Sequence, residues 1–122
     1  MAPLTVFLID AVLVVVFATF GRGAHSEGLG AAQVWGTAWP FLVALVVGWL
    51  LVLLLRRAPL AVPTGVLLWV VTLAGGMVIR GLTTGRVPHW SFLLVAGVTT
   101  AVFLIGWRLV VRVIKTRRVQ GE

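Results

Sequence analysis

Four long apolar runs constrain the fold of this chain more than any other feature of its sequence. They cover about residues 3–20, 38–55, 63–80 and 90–112. Each approaches or exceeds the ~20 residues that an α-helix needs to cross the hydrocarbon core of a bilayer. A segment surrounded by lipid must satisfy its own backbone hydrogen bonds, which selects a helix over an isolated strand. The runs therefore predict an all-α integral membrane bundle of four transmembrane helices.

The composition argues against a soluble domain of this size. Of the 122 residues, 61% are hydrophobic and 11% are charged, whereas soluble domains carry about one quarter charged residues. A small soluble domain cannot bury so much apolar surface. The absence of cysteine excludes disulfides, thiolate metal sites and cysteine nucleophiles. We expect a single membrane domain over residues 1–122, in which residues 113–122 form a short basic cytoplasmic tail.

The distribution of basic residues predicts the orientation, because Lys and Arg gather at the cytoplasmic ends of membrane helices. One side of the predicted bundle has Arg56, Arg57, Arg108, Arg112, Lys115, Arg117 and Arg118, and the other has Arg22, Arg80 and Arg86. This imbalance places both termini in the cytoplasm of a multi-pass protein of the plasma (inner) membrane. We expect the basic tail to contact anionic lipid headgroups, and we expect no nucleic-acid partner despite the net charge of +7.

Asp10 places a carboxylate inside the first apolar run. Counting at ~1.5 Å per residue puts it near the midplane of the bilayer, in a predicted polar layer with Trp49, Thr72, Thr99 and Thr100. By the same count the Cα atom of Arg108 lies about 6 Å nearer the cytoplasm than that of Asp10. Arg108 is therefore the cation best placed to reach Asp10.

Three roles for Asp10 follow from this position. The favoured role is a structural link between helices, in which Asp10 is either a neutral hydrogen-bond donor or an ion paired with Arg108. Desolvation favours the neutral form of an unpaired carboxyl group, whereas pairing with Arg108 would favour the ionised form, and the sequence leaves both versions open. The alternatives are a proton- or cation-handling site and a catalytic acid. The catalytic role has little support, because the sequence has no second carboxylate at the depth of Asp10.

A second polar group lies in the two loops that are predicted to face outward: Arg22, His25, Glu27, Arg80, Arg86 and His89. Ordinary interfacial polarity explains the group most simply. The functional alternative is a site for an anionic group, such as a phosphate or a lipid headgroup, with Arg22 and Arg80 as clamps. Two histidines and a glutamate also suit zinc in principle. Their spacing matches no strong motif, so we expect no metal and no cofactor.

Small residues four positions apart predict close helix packing: Ala44 with Gly48, Thr72 with Gly76, and Gly97 with Ala101. A faint internal repeat is also present. The Arg-Gly dipeptides at 22–23 and 80–81 are separated by 58 residues, and so are the Gly-Trp dipeptides at 48–49 and 106–107. These matches fit a duplicated helical hairpin, and they fit chance as well.

Three segments carry a family resemblance. GRGAHSEG follows the first run, TAWPFLVALVVGWL opens the second, and GWR closes the fourth. With its four short spans, the chain resembles the small bacterial membrane-protein family catalogued as domain of unknown function 3054. The resemblance covers nearly the whole chain and implies a four-helix membrane protein. It carries over no catalytic residue.

The function predicted from the sequence is that of a non-catalytic accessory or scaffold component of the plasma membrane. Such a component would work in a homo-oligomer or in a larger membrane complex. One alternative is a small oligomeric transporter or channel unit that uses the midplane carboxylate of Asp10. The other is a membrane-embedded enzyme acting on lipid, for which only His25, Glu27 and His89 would supply the chemistry. The sequence leans against an enzyme without deciding the question.

Overall fold

The computed structural model describes residues 2–24, 30–85 and 90–121, and the regular elements in these ranges are four α-helices. The side chains of residues 21–24, 84, 90–92 and 117–121 lie outside this description. The helices are α1 (Pro3–Ala24), α2 (Ala31–Leu54), α3 (Val62–Thr84) and α4 (Trp90–Gly121). All four are long and apolar enough to cross a membrane. The predicted all-α fold with four apolar helices is confirmed.

Each helix packs against two neighbours, in the cyclic order α1, α2, α3, α4. Neighbouring helices run antiparallel. Phe7 of α1 meets Trp49 of α2, and Phe17 further along α1 meets Phe41 earlier in α2. The α2–α3 connection therefore lies at the same end of the bundle as the start of α1 and the last turns of α4.

The helices extend beyond several of the predicted spans. The second helix begins at Ala31 rather than near residue 38, because Gly30 and Gln33 form a cap there. The backbone N–H of Gly30 donates a hydrogen bond to Gln33 Oε1 at 2.9 Å, which satisfies a group that the helix start leaves free. At the other end of the chain, residues 113–121 continue α4 instead of forming a separate tail. No proline or glycine interrupts the sequence there before Gly121.

The early start of α2 changes the position of Pro40. The sequence places Pro40 in the first turn of the second span, whereas the structure places it inside α2. A proline in a helix interior cannot donate to the carbonyl four residues earlier, and its ring crowds that carbonyl. The residue four positions earlier is Gly36, so its carbonyl receives no hydrogen bond from position 40. Apolar membrane helices tolerate such interior prolines.

The core is built from residues at helical spacing on the inner faces. On α1 these are Val6, Asp10, Val14, Phe17 and Ala18, and on α3 they are Thr64, Leu68, Thr72 and Gly76. Phe17 and Phe41 meet edge to face, with ring centroids 5.2 Å apart. A Cβ on Gly76 would overlap the ring of Phe41, and one on Gly75 would lie 2.8 Å from Ala44 Cβ. Small residues therefore allow α2 and α3 to approach closely.

The outward faces of the helices are apolar. Large hydrophobic side chains are widely exposed on all four helices, and Leu54 and Leu82 retain 78% and 80% of their accessible surface. Scattered exposed apolar residues are normal on soluble proteins, but faces that are apolar over the length of a helix are not. Such a surface suits contact with lipid chains.

Candidate functional site

The charged centre of the bundle is an ion pair between Asp10 of α1 and Arg108 of α4. Arg108 Nη1 donates to Asp10 Oδ1 at 2.9 Å, and Arg108 Nη2 donates to Asp10 Oδ2 at 2.8 Å. Neither side chain retains any exposed surface. Two parallel hydrogen bonds between a guanidinium and a carboxylate form the strongest and most directional pairing of these groups.

Two tryptophans complete the hydrogen bonding of the carboxylate. Trp49 of α2 donates its Nε1–H to Oδ2 at 3.0 Å, and Trp107 of α4 donates its Nε1–H to Oδ1 at 3.0 Å. Each oxygen of Asp10 thus accepts two N–H groups, which uses about all of the lone-pair positions of a carboxylate. We call Asp10, Trp49, Trp107 and Arg108 the carboxylate cluster.

The donors around Asp10 indicate that it is ionised. A protonated carboxyl group would direct its own O–H toward groups that are themselves donors. The contacts are those of the charge pair, which is one of the two versions that the sequence leaves open, and they do not fit the neutral bridge. Arg108 supplies the opposite charge in direct contact with the carboxylate, at 2.8 Å.

Arg108 makes further contacts that tie the cluster to the end of the bundle. Its Nε donates to the carbonyl oxygen of Pro59 in the α2–α3 connection at 2.9 Å, and Nη1 also donates to the carbonyl oxygen of Leu104 at 2.8 Å. Its guanidinium carbon lies 4.9 Å from the ring centroid of Trp107, within the range of a cation–π contact. A single side chain therefore connects α1, α4 and the α2–α3 connection.

The packing around the cluster fixes the orientation of its side chains. Phe7 meets the Trp49 ring edge to face, at a centroid distance of 6.0 Å. Gly65 of α3 leaves room for Arg108, because a Cβ at Gly65 would lie 2.9 Å from Arg108 Cδ and 3.1 Å from the carbonyl oxygen of Leu104. All four helices thus contribute to the surroundings of the ion pair.

The structure separates the polar layer predicted from the sequence. Asp10, Trp49 and Arg108 come together in the carboxylate cluster. The three threonines predicted to join them do not donate to Asp10: the Thr100 hydroxyl donates to the carbonyl oxygen of Ala96 in its own helix. Helical threonines often bond to their own backbone in this way.

The other two threonines of the predicted layer are Thr72 and Thr99. Thr72 is fully buried on α3, and its hydroxyl has no hydrogen-bond partner among the described residues. Thr99 is partly buried on α4. Trp69 of α3 donates its Nε1–H to the carbonyl oxygen of Gly97 at 2.9 Å, a contact that the sequence does not predict.

Trp107 is the member of the cluster that the sequence does not predict. Its place near the end of the fourth run predicts an interfacial position, whereas its indole is half-buried and bonded to Asp10. The signal that points to it is the repeated Gly-Trp dipeptide. Trp49 and Trp107 are 58 residues apart, and each donates to a different oxygen of the same carboxylate.

The predicted outward group lies largely outside the described residues. His25, Glu27, Arg86 and His89 fall there, and so does the side chain of Arg22. Arg80 is described, and it is partly buried near the end of α3. Within the described ranges, no group of three or more His, Cys, Asp or Glu side chains is placed to hold a metal ion.

Comparison with known proteins identifies a family. A family model described as a protein of unknown function (DUF3054) matches residues 7–111. The chain belongs to this family. The DUF3054 match confirms the resemblance seen in the motifs, and it includes the whole carboxylate cluster. No curated protein and no solved structure matches the chain.

The description of the DUF3054 family names no activity, and the geometry of the carboxylate cluster limits the chemistry that Asp10 can perform. A carboxylate with four N–H donors has no free lone pair with which to take a proton or bind a cation. It is also fully buried. The cluster is therefore suited to holding helices together, and it would have to open before Asp10 met any ligand.

Proposed function

We propose that this protein is a multi-pass component of the plasma membrane with both termini in the cytoplasm, and that it acts as a non-catalytic accessory or scaffold subunit. The observation that carries the proposal is that both oxygens of the Asp10 carboxylate already accept two hydrogen bonds each. The one buried acid of the described bundle is committed to internal contacts with Trp49, Trp107 and Arg108.

The membrane location and orientation are supported by the surface of the bundle. Four apolar helices expose apolar side chains. Arg56, Arg57, Arg112 and Lys115 are exposed and belong to the end of the bundle that holds the α2–α3 connection. Basic residues concentrated at one end of a helical membrane protein favour a cytoplasmic location for that end.

The scaffold role is supported by what the cluster connects. Asp10 and Arg108 bring together α1, α2 and α4, and the Pro59 contact adds the connection to α3. A transporter that uses Asp10 would need this carboxylate to exchange partners during each cycle. A lipid-acting enzyme would need reactive side chains other than those of the cluster.

Purification from native bacterial membranes in a mild detergent tests the subunit role. We expect the protein to elute with other membrane proteins at a fixed ratio, and we expect this ratio to survive the substitution Leu8→Ala on the exposed face of α1. A pure homo-oligomer that conducts ions or solutes in liposomes, and loses that flux on Asp10→Asn, would support the transporter instead.

Cysteine labelling tests the orientation separately. Because the chain has no cysteine, a single introduced thiol is the only one that can be labelled. Single substitutions Ser26→Cys and Thr116→Cys place one thiol in the α1–α2 connection and one near the end of α4. In intact cells, a membrane-impermeant maleimide should label the first variant. It should label the second only after permeabilisation. The opposite labelling would reverse the proposed orientation.

A further inference from the structure

The α2–α3 connection contains an arginine in a backbone conformation that favours glycine. Arg56 has a φ of 53°. The N–H of Arg57 bonds to the carbonyl oxygen of Val52 at 3.0 Å, and the N–H of Arg56 bonds to that of Leu53 at 3.2 Å. This is the Schellman ending of a helix, in which the left-handed residue is usually glycine.

The left-handed conformation costs stability for any residue that has a Cβ. Backbone geometry therefore does not explain why an arginine stands at position 56. An unfavourable conformation kept at one position supports the inference that its side chain has a role. The Arg56 side chain is exposed, as is that of Arg57 beside it.

Further cations of α4 lie at the same end of the bundle. The hydrogen bond from Arg108 Nε to the Pro59 carbonyl oxygen, 2.9 Å long, holds this part of α4 against the α2–α3 connection. Arg112 follows Arg108 by one helical turn and is exposed, and so is Lys115. Residues four apart share a helix face, which places Arg112 beyond the buried pair, on the side of the connection.

Within the described residues, no acidic side chain neutralises the positive charge of Arg56, Arg57 and Arg112. The chain has three acids. Asp10 is buried and paired with Arg108, and Glu27 belongs to the connection at the opposite end. Glu122 is the last residue and lies outside the described ranges. Among the described residues, the positive charge of Arg56, Arg57 and Arg112 is therefore uncompensated, and such a charge attracts an anion.

The surface next to these cations is apolar. Leu53, Leu54 and Leu55 precede Arg56 directly, and all three are exposed. A ligand at this place would meet exposed leucines along α2 and guanidinium groups at its end. A phospholipid has this combination, with apolar chains below a phosphate, whereas free phosphate has only the charge.

We propose that Arg56, Arg57 and Arg112 bind the phosphate of an anionic phospholipid whose acyl chains lie along the exposed leucines of α2. Phosphatidylglycerol has the required chemistry. The inference rests on the proposed membrane location and deepens it, because it assigns a specific lipid site to the basic end of the bundle. Arginine suits this task because its planar donors match a phosphate in a two-point contact.

The test uses the full chain in a neutral detergent, with lipid binding measured by native mass spectrometry. The probes are phosphatidylglycerol, phosphatidylcholine and inorganic phosphate. We expect phosphatidylglycerol to bind more tightly than phosphatidylcholine. The substitution Arg56→Gly should weaken phosphatidylglycerol binding about fivefold, and the temperature of unfolding should stay unchanged or rise. Arg56→Lys should recover only part of the binding that Arg56→Gly loses, because it keeps the charge but not the two-point contact.

The matched control is Arg86→Gln, which removes one positive charge from the α3–α4 connection. We expect it to leave binding unchanged. The proposal is overturned if Arg56→Gly binds phosphatidylglycerol like the wild type, or if Arg86→Gln weakens binding as much, since bulk charge would then explain the effect. Displacement of the lipid by inorganic phosphate would overturn the lipid assignment.

A parallel measurement separates this proposal from the proposed function. Resistance of the protein to extraction from membranes by alkaline carbonate reports membrane integration. If the wild type resists extraction but shows no preference for phosphatidylglycerol, the headgroup site is wrong and the membrane location stands. If the wild type is extracted, the proposed membrane location itself is wrong.

Discussion

Arg108 donates two parallel hydrogen bonds, of 2.9 and 2.8 Å, to Asp10, and the two residues are 98 positions apart in the chain. Both side chains are fully buried, and the indole N–H groups of Trp49 and Trp107 also donate to the Asp10 carboxylate. Replacing a buried ion pair by apolar residues is often neutral, but removing one partner leaves an uncompensated charge at a cost of ~3–5 kcal/mol.

Arg108→Lys tests whether the planar, two-point contact matters beyond charge. A lysine keeps the positive charge but cannot reproduce the parallel bonds to Asp10 together with those to Pro59 and Leu104. We expect a loss of about 2–3 kcal/mol in unfolding free energy, measured by denaturant titration in detergent. Arg112→Lys is the matched control on the exposed surface, and it should change stability by less than about 0.5 kcal/mol. Equal effects of the two substitutions would contradict the two-point contact.

Trp49→Phe and Trp107→Phe test the two indole donors. Each substitution removes one N–H from an oxygen of a buried carboxylate, and hydrogen bonds to charged groups contribute about 1.5–3 kcal/mol. We expect each variant to lose stability in that range. Trp69→Phe is the control, because its N–H donates to the neutral carbonyl of Gly97 and its loss should cost only about 1 kcal/mol. Thermal unfolding followed by circular dichroism gives the comparison, and a larger loss for Trp69→Phe would refute the role of the indoles.

Gly65→Ala tests the space that α3 leaves for the arginine. The added methyl group would press on Arg108 Cδ and on the carbonyl oxygen of Leu104, so we expect a loss of about 1–3 kcal/mol. Gly106→Ala is the matched control on α4, because nothing lies within 4 Å of its Cβ position. Alanine favours a helix over glycine by up to about 1 kcal/mol, so the control should be neutral or stabilising. If Gly65→Ala stabilised the protein in the same unfolding assay, α3 and α4 would have room for a methyl group between them, which would contradict the close contact at Gly65.

Thr72→Val tests the buried hydroxyl without a partner. Valine has nearly the same shape, and it removes a polar group whose burial without a hydrogen bond costs about 1–3 kcal/mol. We expect the variant to be about 1 kcal/mol more stable than the wild type. Thr100→Val should be neutral or destabilising, because the Thr100 hydroxyl bonds to Ala96. A destabilised Thr72→Val protein would indicate that the hydroxyl has a partner in the membrane.

The four helices could be predicted from the sequence because the length and apolar character of the runs are those of helices that can cross a bilayer. Hydropathy alone does not give the start of α2, because that start depends on a local contact between Gly30 and Gln33. Hydropathy does not detect such a cap. The interior position of Pro40 then follows from the early start, and a window of apolar residues would not show it either.

The candidate site was predictable in part for a related reason. Counting residues along a helix gives the depth of a Cα atom, and this was enough to bring Asp10 within reach of Trp49 and Arg108. It gives neither the rotation of a helix nor the direction of a side chain. The Trp107 indole reaches inward instead of staying at the interface, and the Thr100 hydroxyl turns back to its own helix.

A double-mutant cycle on Asp10 and Arg108 tests most directly the claim that this carboxylate is committed to holding the bundle together. The unfolding free energies of the wild type, Asp10→Asn, Arg108→Gln and the double variant are measured in one detergent, and the coupling energy follows from the four values. We predict a coupling of about 2–3 kcal/mol, with the double variant more stable than the sum of the two single losses implies. A coupling near zero would contradict the account, because Asp10 would then be free for another role.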